Sequence, residues 1–414
     1  MFSGIPEKDQ PEARRGFKDA DYVDKWQWIY SDLHKRNYMT MFSEEDDGSP
    51  ALQRRLLGFN KQPTIYYNRP LWLAMRAWIH KELSCPHKFQ YKNIRDYFDM
   101  NKDYNKLGVV LHNLLHNRID RAENIDNDTA IFLKEIQDSV HGKNTIIFLM
   151  GDHGLRSSDI RGTLTGKLEE RLPMLSITYP PKLEEFRRGV KNLRTNSRLL
   201  TSHFDLYNTF QHISTFPNLN ERVHSRKFGR SLFTDIGALN RSCADVGVDN
   251  HWCTCLNYKK VDPSSDKYVN QLIEKILNFI NTRNEETVPG KCLQLKLKTV
   301  NVAGRRTPND EVTQFEHTIT DEGGCDACEP VYDTTKRNSR FAYEVMFTAS
   351  PNNNREYKSL PVFEAGGEIM LRNSSVDIKI DPTISRISLY GDQPACIADR
   401  FPHLRGFCIC KNFK

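Results

Sequence analysis

Between residues 128 and 150 the hydrophobic rhythm of the chain changes. Phe132, Ile136 and Val140 recur at four-residue spacing behind Asp128 and Thr129, either of which can cap a helix, and Gly142 supplies a stop. Thr145 to Met150 is then a continuous apolar run, the pattern of a strand buried on both faces, and it ends abruptly at Gly151. A second such run, Leu172 to Tyr179, stops at Pro180-Pro181. Helical and strand patterns of this kind alternate over residues 1–240 and predict an α/β layer domain.

Around residues 241–262 the composition shifts to cysteine, asparagine and lysine. One more helix follows, with Val269, Leu272, Ile273, Ile276 and Ile280 on one face. After Pro289-Gly290 the period becomes two: Leu293, Leu295 and Leu297 alternate with polar residues, as do Tyr343, Val345 and Phe347, then Ile378 and Ile380. The expected organisation is therefore an α/β domain over 1–240, a cysteine-containing linker and helix over 241–289, and a small β-rich, cysteine-rich domain over 290–414.

A length of 414 residues fits two or three domains, and a net charge of +6 with scattered Lys and Arg gives no nucleic-acid footprint. The run Ile146 to Met150 is far too short to span a bilayer, so no transmembrane segment is expected in this chain. Of ten cysteines only Cys85 precedes residue 243. A crowded, even-numbered set suggests disulfides and an oxidising compartment. Three glycosylation sequons, at Asn127, Asn240 and Asn373, point the same way. The opening residues Met1 to Lys8 carry no signal-peptide pattern, which conflicts with that compartment.

The chemistry concentrates at Gly151-Asp152-His153-Gly154. A strand that stops there puts a carboxylate and an imidazole at its carboxyl end, the edge of an α/β sheet where ligands sit. Mixed oxygen and nitrogen ligation suits a divalent ion. The flanking glycines are expected to let the backbone turn sharply. The plain reading of the same four residues is a turn with Asp152 as a helix cap.

Phe148 to Arg156, followed by Gly166 to Leu175, resembles the metal-site segment of the alkaline phosphatase superfamily, and most closely a sulfatase-like family called domain of unknown function two-two-nine. Further segments resemble that family in order: Gly4-Ile-Pro6, Asn37 to Thr40 with Glu45-Asp46, Tyr66 to Pro70, Ser202 to Thr209, Gly229 to Phe233, then Cys243 with His251 to Cys255. The resemblance covers about residues 1–280 and implies a mostly parallel sheet between helices. It also implies hydrolysis of phosphate or sulfate esters, whether of a glycan, a lipid or a small molecule, with a divalent metal (zinc, manganese, calcium or magnesium). It makes Asp152 and His153 late metal ligands and His116 a substrate-side residue. Arg156 and Lys167 could add positive charge near an anionic ester, but each taken alone reads rather as an ordinary exposed residue, and His203 reads as part of a packed helix rather than a ligand.

The family's early carboxylate and its nucleophile fall before Gly4, where only Met1, Phe2 and Ser3 stand, and Ser3 is off-pattern. The resemblance thus implies an N-terminally truncated core, with the signal peptide lost alongside. It also favours disulfides over zinc for Cys253-Thr-Cys255, Cys325-Asp-Ala-Cys328 and Cys408-Ile-Cys410. The alternative expectation is a catalytically inactive secreted binding protein derived from the same fold.

Overall fold

A computed structural model describes residues 1–45, 50–75, 86–113, 116, 123–219, 226–237, 241–308, 340–353, 355–372 and 375–413. Two compact units emerge: Met1–Leu155 with Pro173–Leu239, and Arg156–Leu172 with Asn240–Lys414. The fold is mixed α/β, with a small parallel sheet and helices in the first unit and an antiparallel sheet in the second.

In the first unit β1 (Met39–Glu44) lies between β2 (Tyr66–Tyr67) and β3 (Lys106–Leu111), parallel to both. As the middle strand it is covered on both faces, and Thr40 to Glu44 are all buried. Phe42 joins Tyr30 and Tyr67 in an aromatic cluster. The crossover between parallel strands is supplied in part by the helix Pro86–Met100, which packs on β3.

β4 (Ile147–Met150) and β5 (Leu175–Thr178) form a separate antiparallel ribbon, with Ile147 opposite Thr178 and Met150 opposite Leu175. The strand expected to be buried on both faces is not. Phe148, Met150 and Ile177 pack into a core, whereas Leu149 and Leu175 are exposed. An antiparallel ribbon leaves one face open, and an unbroken apolar run does not distinguish that case from a central strand.

The helix predicted behind Asp128 begins earlier, at Glu123, and runs to Asp138. Asp128 and Thr129 turn inward instead of capping it: the Asp128 carboxylate accepts from His87 Nε2 at 2.9 Å, and the Thr129 and Tyr91 hydroxyls pair at 2.6 Å. Val140 lies beyond the helix end and is exposed. Of the three sequons, Asn127 is on the exposed side of this helix, and Asn240 and Asn373 fall outside the described residues.

The second unit is a five-stranded antiparallel sheet in the order β10 (Ser375–Arg386), β9 (Val362–Arg372), β8 (Arg340–Pro351), β7 (Leu295–Pro308), β6 (Leu256–Lys260). One face carries Tyr343, Val345, Phe347, Ala349, Phe363 and Ala365, which bury against the helix Lys267–Thr287. That helix presents Val269, Leu272, Ile273, Ile276 and Ile280, the stripe its sequence predicts. Each such side chain contributes roughly 1.5–3 kcal/mol on burial.

Strand alternation sends Glu344 and Glu364 to the opposite face. The excursion Arg156–Leu172 meets them there. Arg171 Nη2 lies 2.9 Å and Lys167 Nζ 3.3 Å from Glu364 Oε1, Arg161 Nη2 lies 2.8 Å from Glu364 Oε2, and Lys167 also pairs with Glu344 and Arg161 with Glu170. Arg161 and Glu364 are almost wholly buried. Lys167 is therefore a buried structural cation, not the exposed one expected. Beside this cluster Arg306 pairs with Asp381, and a Cβ on Gly366 would overlap both side chains, so β9 needs a glycine there.

Disulfides join Cys243 to Cys253, Cys292 to Cys408 and Cys396 to Cys410. The last two sit with Val288, Ile397 and Leu404 in a small core that ties the chain's end to the segment after the long helix. Cys85, Cys325 and Cys328 lie outside the described residues.

Burial alone would push the Glu364 carboxyl up, but Arg171, Lys167 and Arg161 outweigh it and hold it at about 2. Its stabilising effect is complete above the unfolded value near ~4.3 and is lost as the pH falls through the folded value. Replacing Glu364 by Gln leaves buried cations unpaired and should cost about 3–5 kcal/mol at neutral pH. Denaturant titrations should show this gap between wild type and E364Q closing as pH falls from about 4 to about 2. A gap that stays constant with pH contradicts the assignment. Gly366→Ala should lower stability by about 1–3 kcal/mol through overpacking against Arg306, measured the same way.

Candidate functional site

The Gly151–Gly154 loop follows β4, and the Gly151 amide donates to Met174 O at 3.0 Å, extending the ribbon by one rung. Beyond it Asp152 is exposed and His153 mostly covered, with 69% and 24% of their side chains accessible. Asp152 Oδ1 accepts from the His153 amide at 2.9 Å. His153 Nδ1 lies 2.6 Å from Gly154 O, and since a carbonyl only accepts, the ring proton in that contact is on Nδ1. His153 Nε2, which would present its lone pair in the neutral ring, lies 3.5 Å from Asp152 Oδ2. Two ligand atoms on one tetrahedral ion at bonds of about 2.0–2.2 Å lie roughly 3.3–3.6 Å apart. A hydrogen bond that fixes the far ring nitrogen is the usual support for a metal-ligating histidine.

The chain bends at Asp152 and His153 although neither Gly151 nor Gly154 has a positive φ. A Cβ on Gly151 would meet Pro173 Cβ at an ordinary 3.4 Å.

The helix His203–Ile213 packs beside this loop's strand, with Phe210 edge-on to Phe148 at 5.0 Å. Ser202 caps it and Asp205 completes a reciprocal capping box, accepting the Ser202 amide at 2.7 Å. Asp205 Oδ1 also accepts from the Arg230 amide at 2.7 Å, and Thr209 Oγ1 from the Leu232 amide at 2.9 Å. Gly229 has φ 83° and passes so close to the Phe204 backbone that any side chain would overlap it. Gly4, at φ 63°, lies equally tight against the Tyr207 ring. Three of the sequence landmarks are thus packing partners around one helix.

His203 is the first residue of that helix and is half-buried. Burial lowers its pKa, the Met1 amine and His153 push the same way, and Asp152 opposes them. His203 is thus part of the loop's surroundings, which its sequence context did not reveal.

His116 lies elsewhere in the unit, in a turn after β3, with its amide donating to Asn113 O at 3.0 Å. The carboxyl ends of β1 and β3 hold a polar cluster around Glu45, a family landmark in the sequence to which no role was given. Glu45 accepts from the Asn113 amide at 2.7 Å and from Gln90 Nε2 at 3.0 Å, and lies 3.9 Å from His112 Nδ1. Glu44 accepts from the Ala51 amide and from Asn113 Nδ2, both at 2.7 Å. Burial, aided by His87, lowers the His112 pKa to about 4, so that ring is neutral at physiological pH. The consecutive acids Glu44-Glu45 closing a buried strand were the available signal.

Ser3 is buried, with its hydroxyl donating to Ile5 O at 3.1 Å. Among the described residues the sets of three close ligand atoms are Cys243, Cys253, Cys255 and Cys396, Cys408, Cys410. All of these except Cys255 are in disulfides. No helix among the described residues is long and apolar enough to cross a membrane.

No curated protein and no solved structure matches the chain. One family model does match, over residues 1–301, taking in the parallel sheet, the β4–β5 ribbon with its Gly-Asp-His-Gly loop, and the first strand and long helix of the second unit. The chain therefore belongs to the family described as protein of unknown function (DUF229).

Proposed function

We propose that this protein is a metal-dependent phosphate- or sulfate-ester hydrolase-like protein in which Asp152 and His153 hold one divalent cation. The observation that carries the reading is the 3.5 Å pairing of Asp152 Oδ2 with His153 Nε2, whose other nitrogen is held by the Gly154 carbonyl. A carboxylate oxygen with a neutral imidazole suits zinc or manganese, and calcium or magnesium at higher oxygen coordination. When bound, the ion would neutralise an ester oxygen and acidify an attacking group. Asp152, exposed at the loop tip, would meet the ion from the solvent side, and His153, mostly covered, would hold it near the end of β4. On the family resemblance alone, His116, in the turn after β3, is proposed as a residue that contacts the anionic ester. No residue of this chain is assigned the nucleophile, and the Ser3 hydroxyl is engaged with its own backbone.

The three disulfides support an oxidising, secretory or extracellular location.

Purified full-length protein should carry a stoichiometric divalent metal, and Asp152→Asn combined with His153→Ala should lose it, measured by elemental mass spectrometry. Equal metal in both proteins removes the ligand assignment. Metal binding without turnover of aryl phosphate or aryl sulfate esters would move the reading to an inactive binding protein. On protein from its native source, alkylation should find Cys243, Cys253, Cys292, Cys396, Cys408 and Cys410 blocked. Ten reactive thiols would refute the compartment.

A further inference from the structure

We propose that the second unit carries a binding site for an acidic oligosaccharide, in the cleft between the first turn of the helix Lys267–Thr287 and the sheet positions Arg305, Phe341 and Tyr343. The cleft has a volume of about 560 Å³, within the range of sites that hold a small ligand. It needs no metal and does not depend on the reading given to the Gly151–Gly154 loop.

Strand alternation and the start of the helix make the cleft. Arg305 on β7 stands opposite Tyr343 on β8, so both side chains leave the same face of the sheet, and Phe341, two residues before Tyr343, leaves it too. That is the face the helix covers, and its cover begins at Lys267. The Tyr268 ring lies against Phe341, with centroids 6.3 Å apart and 27° between the planes. The Arg305 guanidinium sits 3.8 Å from the Phe341 ring centre, and the Lys267 ammonium 5.0 Å from that of Tyr268.

The charges in the cleft are not equivalent. Asp266 is engaged by the fold: Oδ1 accepts the Tyr268 amide at 3.0 Å and Oδ2 the Tyr343 hydroxyl at 2.9 Å. Asp262 accepts from the Ser264 amide at 2.9 Å and from its hydroxyl at 2.8 Å. Arg305, half-buried, and Lys267, exposed, form no ion pair among the described residues and lie on aromatic faces instead. A cation held on a ring keeps its charge available to an anion from outside. Two such cations beside two rings recognise an anion attached to a flat apolar surface. A sulfated or uronic sugar supplies both: the C–H face of its ring stacks on an aromatic side chain while its sulfate or carboxylate pairs with guanidinium and ammonium. Its hydroxyls can donate to the remaining lone pairs of Asp262 and Asp266. A bare anion would leave the rings unused.

The test is calorimetric titration of the full-length protein with a heparin-derived tetrasaccharide and, for comparison, with inorganic sulfate. Wild type is set beside R305Q/K267Q, Y268L (which keeps apolar bulk without the ring), D152N/H153A, and K298Q, which removes an exposed charge of β7 outside the cleft. Thermal unfolding is recorded for each. The expected result is saturable binding of the tetrasaccharide by wild type, weakened at least about 10-fold in R305Q/K267Q and in Y268L at unchanged melting temperature, and unaltered in K298Q and D152N/H153A. K267Q alone, a change at an exposed side chain, replaces the double variant if that does not fold. Absence of saturable binding by wild type overturns the proposal. An equal loss in K298Q also overturns it, because the attraction would then be diffuse charge. Wild-type affinity in Y268L, or sulfate bound as tightly as the tetrasaccharide, reduces the site to an anion contact and overturns it as well. Loss in D152N/H153A would move the saccharide to the Gly151–Gly154 loop and overturn the cleft, while metal content measured on the same variant tests the metal reading separately.

Discussion

Glu364 is the residue on which the second unit depends. Its carboxylate, about 1% exposed, receives Arg161, Lys167 and Arg171 from one short excursion of the chain. Charges this deep are tolerated only when paired, since the cost of removing an ion from water is several kcal/mol. The cluster meets that condition by balance: Arg161, Lys167 and Arg171 stand against Glu170, Glu344 and Glu364. The pairing is therefore collective. Loss of one member strands the others, which is why it defines where the excursion must sit on its sheet.

The same cluster explains why the sheet needs two different coverings. Alternation along β8 and β9 gives one face Val345, Phe347, Phe363 and Ala365 and the other Glu344 and Glu364. The long helix satisfies the apolar face. Only a polar element can satisfy the other, and Arg156–Leu172, rich in Arg and Glu, is that element. Gly366 marks the same constraint in the backbone, where a guanidinium and a carboxylate occupy the space of a side chain.

What could be read from sequence divides along the distance between partners. The stripe Val269 to Ile280 and the alternation Tyr343, Val345, Phe347 are local periodicities, and both stand in the structure. The Arg161–Glu364 pair spans 203 positions, and nothing near either residue announces it. Asp128 shows the opposite failure: a good cap by its neighbours, it is claimed instead by His87 from another helix. The apolar run ending at Met150 reads as doubly buried because burial on two faces and burial on one leave the same unbroken pattern in so short a strand.

At the candidate site, the Gly-Asp-His-Gly residues were legible because ligand-type side chains cluster in sequence, whereas their support is distributed. Gly4 and Gly229 pack tightly on the helix His203–Ile213, and its own Asp205 and Thr209 accept amides of the segment 230–232. A ribbon of four-residue strands with one partly exposed face resists bending less than an element packed on several sides. Phe210 of the better-packed helix meets Phe148 of that ribbon. The tight glycine contacts around the helix therefore bear on the strand that leads into the loop, which makes the landmarks with no chemistry of their own matter to the ribbon that carries Asp152 and His153.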